Sequence, residues 1–181
     1  MVQTLAVAGV PGMVIGGVAA SILGRPRATR DVDAVVWAPE AAWPGFLAAA
    51  VAVGLRPRVS DPLAFARTSR VLLLRHEASG VDVDISFGSL PFEEEAIRRA
   101  RSTMVAGVEV PLVTPEDLVI LKAVANRPRD HVDIEAIIAA QPALDRRRIR
   151  RILRAFAEAL DAPEVVDVTE RLLRRAGRRT R

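Results

Sequence analysis

Two pairs of aspartates stand out in this sequence by their spacing. Asp31 and Asp33 open the run "DVDAVVWA", and Asp82 and Asp84 alternate with Val81, Val83 and Ile85 in "GVDVDISFG". On a strand, residues two apart project from the same face, with Cα atoms roughly 6.5 to 7 Å from each other. On a helix the same spacing puts them on nearly opposite sides. Like charges set side by side in apolar sequence repel each other and resist desolvation unless a cation neutralises them. Mg2+ is the simplest neutraliser, because it prefers one or two carboxylates together with substrate phosphates. If the second strand lies beside the first, at about 4.8 Å, one of its acids completes a three-carboxylate cluster. Three acids can hold two metal ions about 3.5 to 4 Å apart, the arrangement used for in-line displacement at phosphorus. Either pair alone reads as the exposed face of an amphipathic strand; both together, behind a Gly-Gly turn, read as a site.

The glycines supply the other half of that chemistry. With no side chains, Gly16 and Gly17 let a phosphate approach the backbone N–H groups that open the short helical run "VAASIL", where the helix dipole also favours anions. They precede the first acids by fourteen residues, which allows a strand, helix, strand return to the same end of a sheet. The chain has no cysteine, which removes disulfides, thiolate metal sites and thiol nucleophiles. His76 and His131 have no partner at metal-ligand spacing and read as surface or turn residues.

The elements that must position these groups are legible in outline. "GVPGMVIGG" reads as a short apolar strand between a Pro-Gly turn and the Gly-Gly pair, and "DVDAVVWA" as a strand with one buried face. "EAAWPGFLAAAVAVGL" predicts a helix broken near Pro44 and closed by Gly54. "LAFARTSRVLLLRHEASGVDVDISFG" predicts one or two strands and then a hairpin turning at "ASG". "PFEEEAIRRARS" predicts a helix whose charge order complements its dipole, so Glu93, Glu94 and Glu95 read as capping acids. "TMVAGVEVPLV" predicts a hairpin around Ala106 and Gly107. From "TPEDLVILKAVA", with Thr114 as N-cap and Pro115 at the first position, the pattern turns helical and continues through "DHVDIEAIIAA", "LDRRRIRRILRAFAEAL" and "PEVVDVTERLLRRAG". The expectation is an α/β (α+β) core over 1–112, a mixed sheet flanked by helices, and a helical, basic part over 113–181.

Charge and hydropathy bound the setting. The net charge of +4 hides an asymmetry: residues 141–181 carry twelve Arg against six acids, while the first 140 residues are slightly acidic. A basic C-terminal part suits a polyanionic partner; arginine written wherever a surface needs positive charge explains it as well, and Lys122 is the only lysine in the chain. The uncharged run "LAVAGVPGMVIGGVAASIL" is long enough for a signal peptide or membrane span. It lacks a basic flank, "GVPG" interrupts it, and charges follow at once, so the expectation is a cytoplasmic protein with no membrane association.

The hydrophobic-Gly-Gly at Ile15 to Gly17, the Arg-x-Thr-x-Asp-x-Asp run from Arg27 to Asp33 and the later strand acid resemble the nucleotidyltransferase superfamily. Together with "VTPEDLVILKAVANRPRDHVDIEAII", which carries a Lys and then Arg-x-x-Asp-x-x-Asp, they look like its AbiEii-like toxin branch, over about residues 10 to 138. The resemblance implies the nucleotidyltransferase fold. It makes Asp31 and Asp33 ligands of two Mg2+ ions that bridge to a nucleoside triphosphate such as ATP, and Asp84 the third ligand, which aligns metal with the acceptor hydroxyl and accepts its proton, with Asp82 as its competitor. Gly16 and Gly17 would line the phosphates, Arg27 and Arg30 would supply counter-charge, and Thr29 would shape the turn. Lys122 would reach toward the triphosphate, and Asp130 and Asp133 match later acid positions, where they also read as helix N-terminal acids.

The implied reaction moves a nucleoside monophosphate from the triphosphate to an acceptor hydroxyl and releases pyrophosphate. RNA, such as a tRNA end, is the expected acceptor because of Arg146, Arg147, Arg148, Arg150, Arg151 and Arg154, although Phe156 is the only aromatic among them for stacking a base. A cognate antitoxin is a further expected partner if the chain is the toxin of such a pair. The competing readings are transfer to a small molecule of the antibiotic type, against which the helical part looks short, and a non-catalytic nucleotide- or partner-binding module.

Overall fold

The computed structural model describes residues 1–179, with side chains through residue 174. By contact the chain divides into two compact units, Met1–Val18 with Thr29–Val113, and Ala19–Ala28 with the residues from Thr114 onward. The main break falls one residue past the expected 112. The excursion of Ala19–Ala28 into the helical unit is not visible in the sequence pattern.

The first unit holds a mixed sheet. In chain order it comprises α1 (Val2–Ala8), β1 (Gly12–Val14), the start of α2 (Gly16–Leu23), β2 (Asp31–Val36), a 3-10 turn at Glu40–Ala42, α3 (Trp43–Ala52), β3 (Leu55–Pro57), α4 (Pro62–Ser69), β4 (Val71–His76), β5 (Asp82–Phe87), α5 (Pro91–Arg99), β6 (Arg101–Val105) and β7 (Val108–Leu112). The strand order is β3-β4-β5-β2-β1-β7-β6. β2 and β5 are parallel, as are β1 and β7, and the other neighbours are antiparallel.

Period-2 patterning decides the faces. Ala34 and Val36 of β2, Leu72 and Leu74 of β4, and Val83, Ile85 and Phe87 of β5 point to one side, where Leu5, Trp43, Phe46 and Ala66 from α1, α3 and α4 complete an apolar core. Trp43 stacks on Phe87 with centroids 4.1 Å apart, and Phe46 meets the same ring edge-on. Each such large side chain contributes about 1.5 to 3 kcal/mol on burial. The aspartates of β2 and β5 therefore project from the opposite face.

Two local expectations change. "LAFARTS" is not a strand but the body of α4: Asp61 accepts the Ala64 N–H at 2.9 Å as N-cap and Pro62 occupies the first turn. Pro44 does not break α3 but sits in its first turn, where no N–H is required. The α5 reading holds for Glu93, whose Oε2 accepts from the Ser89 and Leu90 N–H groups at 2.8 and 2.9 Å, while Glu94 pairs with Arg98.

In the second unit α6 (Pro115–Ala125), α7 (Pro128–Ala140), α8 (Arg146–Leu160) and α9 (Glu164–Arg179) pack on one another and bury Leu118, Ile134, Ile137, Ile149 and Leu153. Thr114 caps α6 by accepting from Asp117 N–H, and the buried Asp117 carboxylate takes two guanidinium contacts from Arg148 of α8, at 3.0 and 2.8 Å. The chain at 19–28 joins this unit through Gln141, which donates to the Leu23 carbonyl at 2.8 Å, and through Gly24, where a Cβ would lie 3.0 Å from Ile137 N. Among the described residues, no helix is long and apolar enough to cross a membrane. Arg175, Arg178, Arg179 and Arg181 of the basic tail have side chains outside the described residues.

Candidate active site

The parallel pairing of β2 with β5 sets Asp31 opposite Asp82 and Asp33 opposite Asp84. Paired residues on neighbouring strands share a face, so the four carboxylates form a two-by-two patch on the side away from the apolar core. All four are partly exposed, as groups that meet a solute must be.

The glycine turn abuts this patch. Antiparallel pairing of β1 with β2 brings Ile15 N–H to the Asp33 carbonyl at 2.9 Å, and Gly17 N–H points at Asp33 Oδ2, 3.4 Å away. Gly16 has φ of 64°, and a Cβ there would lie 1.8 Å from Asp33 Oδ2. Only glycine satisfies both conditions, so the turn is shaped around the Asp33 carboxylate. The Thr29 hydroxyl lies 2.9 Å from Asp31 Oδ1 and 3.2 Å from the Asp31 carbonyl, fixing the other acid of the pair. Arg30 is exposed at the foot of β2.

Two arginines enter the patch from the side of β4 and β3. Arg75, in register with Asp82, donates to Asp82 Oδ1 at 2.7 Å. Arg58, just beyond β3, donates to Asp82 Oδ2 at 2.9 Å and also to Asp84 Oδ1. The consequences for the two acids of β5 are opposite. The Arg75 hydrogen bond, helped by Arg58, holds the Asp82 carboxyl below the usual range. Burial pushes Asp84 up, and the neighbouring charges of Asp33 and Asp31 push it further, against the pull of Arg58. Asp84 thus feels the charges of the β2 pair, while Asp82 is saturated by arginine. Neither arginine is a sequence-stretch candidate: Arg75 is marked only by its place in the hairpin register, and Arg58 by nothing local.

The donor set suits a hard cation: carboxylate oxygens from adjacent strands beside free access to solvent. As the side chains stand, no group of three His, Asp or Glu among the described residues is gathered closely enough to hold a metal ion. Asp33 turns toward Gly17 and Asp84 toward Arg58. The residues that would ligate Mg2+ are Asp31, Asp33 and Asp84, with side-chain rotation and release of Asp84 from Arg58.

The remaining candidates, Lys122, Asp130, Asp133 and Arg27, belong to the helical unit and are linked by ion pairs within it. Lys122 Nζ lies 3.1 Å from Asp130 Oδ1 and 2.7 Å from Asp133 Oδ2, with its side chain 7% exposed. Asp133 also takes both donors of the Arg27 fork at 2.9 Å, and Asp130 accepts from Arg127 Nε at 2.6 Å and from the Arg127 N–H. Burial alone would raise both carboxyls, but the bonds from Arg127 and Lys122 at Asp130, and from Arg27 and Lys122 at Asp133, outweigh it and hold both below the usual range. Asp130 therefore does serve as a helix N-terminal acid, and it has a buried cation as well. His76 meets Ser79 in the β4–β5 turn and His131 meets Asn126, so both histidines sit in local hydrogen bonds.

The arginines of α8 divide. Arg148 is buried on Asp117, Arg150 pairs with Glu170 at 2.5 Å, and Arg146 donates to the Leu173 carbonyl. Arg147, Arg151 and Arg154 are exposed and share one helix face at i, i+4 and i+7.

Comparison with known proteins fits this geometry. No curated protein matches the sequence. Among solved structures, the chain is similar to the solution structure of the antibiotic-resistance factor ANT(2'')-Ia, with 18% identity and a TM-score of 0.57 over 90% of this chain and 91% of that one. It is similar to the crystal structure of ANT(2'')-Ia in complex with adenylyl-2''-tobramycin, with 19% identity and a TM-score of 0.56 over 87% of this chain and 95% of that one. An antigenic nucleotidyltransferase-like protein from Paracoccidioides brasiliensis is also similar, at 18% identity and a TM-score of 0.53 over 93% and 88% of the two chains. These likenesses establish the nucleotidyltransferase fold. Through a match over residues 67–173, more than half of its length and inclusive of β5 and α6 to α8, the chain belongs to the family described as nucleotidyl transferase of unknown function (DUF2204).

Proposed function

We propose that the chain transfers a nucleoside monophosphate from a nucleoside triphosphate to an acceptor hydroxyl, at the carboxylate face of β2 and β5. The observation that carries this reading is the register of Asp33 beside Asp84, with the Gly16-Gly17 turn built against Asp33. Asp31, Asp33 and Asp84 would hold Mg2+, which when bound supplies charge neutralisation at the α-phosphate and at the leaving pyrophosphate. Gly17 N–H and the first turn of α2 face the phosphates, Thr29 orients Asp31, and Arg30 adds positive charge near the same end of β2. The acceptor oxygen attacks the α-phosphorus, the bond to the β-phosphate oxygen breaks, and pyrophosphate leaves. Asp84, the acid whose carboxyl burial and like charges push up, takes the acceptor proton. Lys122 is held by Asp130 and Asp133, and Arg27 by Asp133, so a role for Lys122 at the triphosphate would require those contacts to open.

For the acceptor we favour a small hydroxylated molecule. ANT(2'')-Ia, whose crystal structure holds adenylyl-2''-tobramycin, is spanned almost end to end by a chain of this length. The expected objection, that the helical part is too short for a small-molecule enzyme, therefore falls. RNA is the second reading, supported by the exposed face of Arg147, Arg151 and Arg154; it is weaker than six arginines suggested, because Arg146, Arg148 and Arg150 are engaged within the unit. The AbiEii-like assignment and a toxin role rest on the sequence resemblance over about residues 10 to 138.

The test is incubation of the protein with each α-labelled triphosphate and Mg2+, in parallel with total RNA and with aminoglycosides, alongside Asp31→Asn and Asp33→Asn. Label in a small-molecule product that both variants lose supports the favoured reading. Label in RNA alone replaces the acceptor, and label retained by both variants overturns the site.

A further inference from the structure

The Arg58 guanidinium bridges the two acids of β5, one Nη on Asp82 and the other on Asp84. It reaches them from beyond the edge strand β3, across β4, where Leu73 stands opposite Asp84 and offers no polar partner of its own. Asp82 has a second cation in Arg75, so Arg58 is redundant there. At Asp84 it supplies the ion pair. A guanidinium so placed does the work of a bound cation: it joins two carboxylates of one strand that would otherwise repel each other.

We propose that Arg58 is a resident counter-cation, which a divalent ion displaces from Asp84 on binding, while Arg75 keeps Asp82 out of the ligand set. This rests on the reading of Asp31, Asp33 and Asp84 as the metal ligands. The pair is suited to exchange. Arg58 and Asp84 are 25% and 35% exposed, a range in which guanidinium–carboxylate pairs are readily broken. The stem stays fixed, because Arg58 N–H donates to the Leu73 carbonyl at 3.0 Å. The head has room and an alternative partner: Arg58 borders an open cavity of about 310 Å³ shared with Arg56, Pro57, Arg75 and Glu77. Glu77 is half-exposed and held by Arg56 alone among its described ion pairs. Arg58 thereby settles which acid of the Asp82 and Asp84 pair ligates, since the acid with one shared cation is the one that can be freed.

Mn2+ titration of the full chain, read by the loss of the free-ion EPR signal, tests this without any reaction. Arg58→Ala should bind Mn2+ about fivefold tighter than wild type, the factor expected when one partly exposed ion pair stops competing for Asp84. Arg75→Ala removes the same charge from Asp82 only and should change affinity less than about twofold. Equal tightening in both variants shows general charge relief and overturns the displacement. Unchanged or weaker binding in Arg58→Ala overturns it as well, while leaving the metal site standing. No Mn2+ binding in wild type or Arg58→Ala overturns both the displacement and the metal reading beneath it. In wild type, 15N-arginine NMR gives an independent readout: Mg2+ should shift the Arg58 side-chain signal, assigned through Arg58→Lys, more than that of Arg75. A larger shift at Arg75 contradicts the proposal.

Discussion

The chain carries two groups of aspartates that look alike in sequence and differ in burial and in how their carboxyls are held. In the helical unit, Asp130 and Asp133 meet three cations, Lys122, Arg27 and Arg127, and both carboxyls are held below their usual range. On the sheet, Arg58 pairs with Asp82 and Asp84 and Arg75 with Asp82, yet Asp84 is pushed up. The first group is electrostatically complete and buried, so it holds helices and the 19–28 segment together. The second is partly exposed, and burial and like charge push one of its carboxyls up, so it suits the exchange of partners that the proposed reaction needs. Carboxylate spacing alone does not separate these cases; burial and the direction in which the carboxyls are pushed do.

Substitutions can break that contrast, and the largest effect should be on transfer. Asp33→Asn keeps an acceptor for Gly17 N–H but removes a ligand charge, and should lower nucleotidyl transfer at least ~100-fold, since a metal's charge stabilisation amounts to several kcal/mol. Gly16→Ala forces a Cβ into the Asp33 carboxylate and a left-handed φ on alanine, and should likewise abolish transfer, with about 1 to 2 kcal/mol lost to the backbone alone, measured by urea denaturation.

The helical network should respond in the opposite way. Lys122→Met leaves two buried carboxylates short of a partner and should cost about 3 to 5 kcal/mol, roughly 6 to 20 °C in melting temperature. Its pH dependence follows from the depressed carboxyls: their contribution is present above the unfolded value of about 4 and is lost as pH falls through the folded values. The stability gap between wild type and Asp133→Asn should therefore be constant from pH 5 to 7 and shrink below about pH 4, measured by urea denaturation at each pH. The smallest change is expected for the triple variant Arg147→Ala, Arg151→Ala, Arg154→Ala, within about 0.5 kcal/mol of wild type per site. If RNA is the acceptor, the same variant flattens the salt dependence of RNA binding.

Much of the sheet site was legible because a strand has a period of two. The alternation of Asp82 and Asp84 with valines fixed their common face, and the glycine pair marked the turn. The step from two strands to one patch depended on β2 and β5 being neighbours, which their pairing supplies. What escaped sequence reading lies at long range. Arg58 acts across β4 on acids 24 and 26 residues away, with no local signal. Residues 19–28 join the helical unit through Gln141 and Asp133, more than 100 residues along the chain. The α4 misreading had a local cure, since Asp61-Pro62 is a helix start; the apolar residues of "LAFARTS" drew attention from it.

The most direct test measures two quantities on the same samples: transfer of label from an α-labelled triphosphate with Mg2+, and the melting temperature, for wild type, Asp33→Asn, Asp84→Asn and Asp133→Asn. Transfer should vanish in Asp33→Asn and Asp84→Asn, the melting temperature of Asp84→Asn should equal or exceed that of wild type, and Asp133→Asn should lose stability. Full transfer by Asp33→Asn, or a melting temperature for Asp84→Asn as depressed as that of Asp133→Asn, would contradict the assignment of the sheet carboxylates to catalysis.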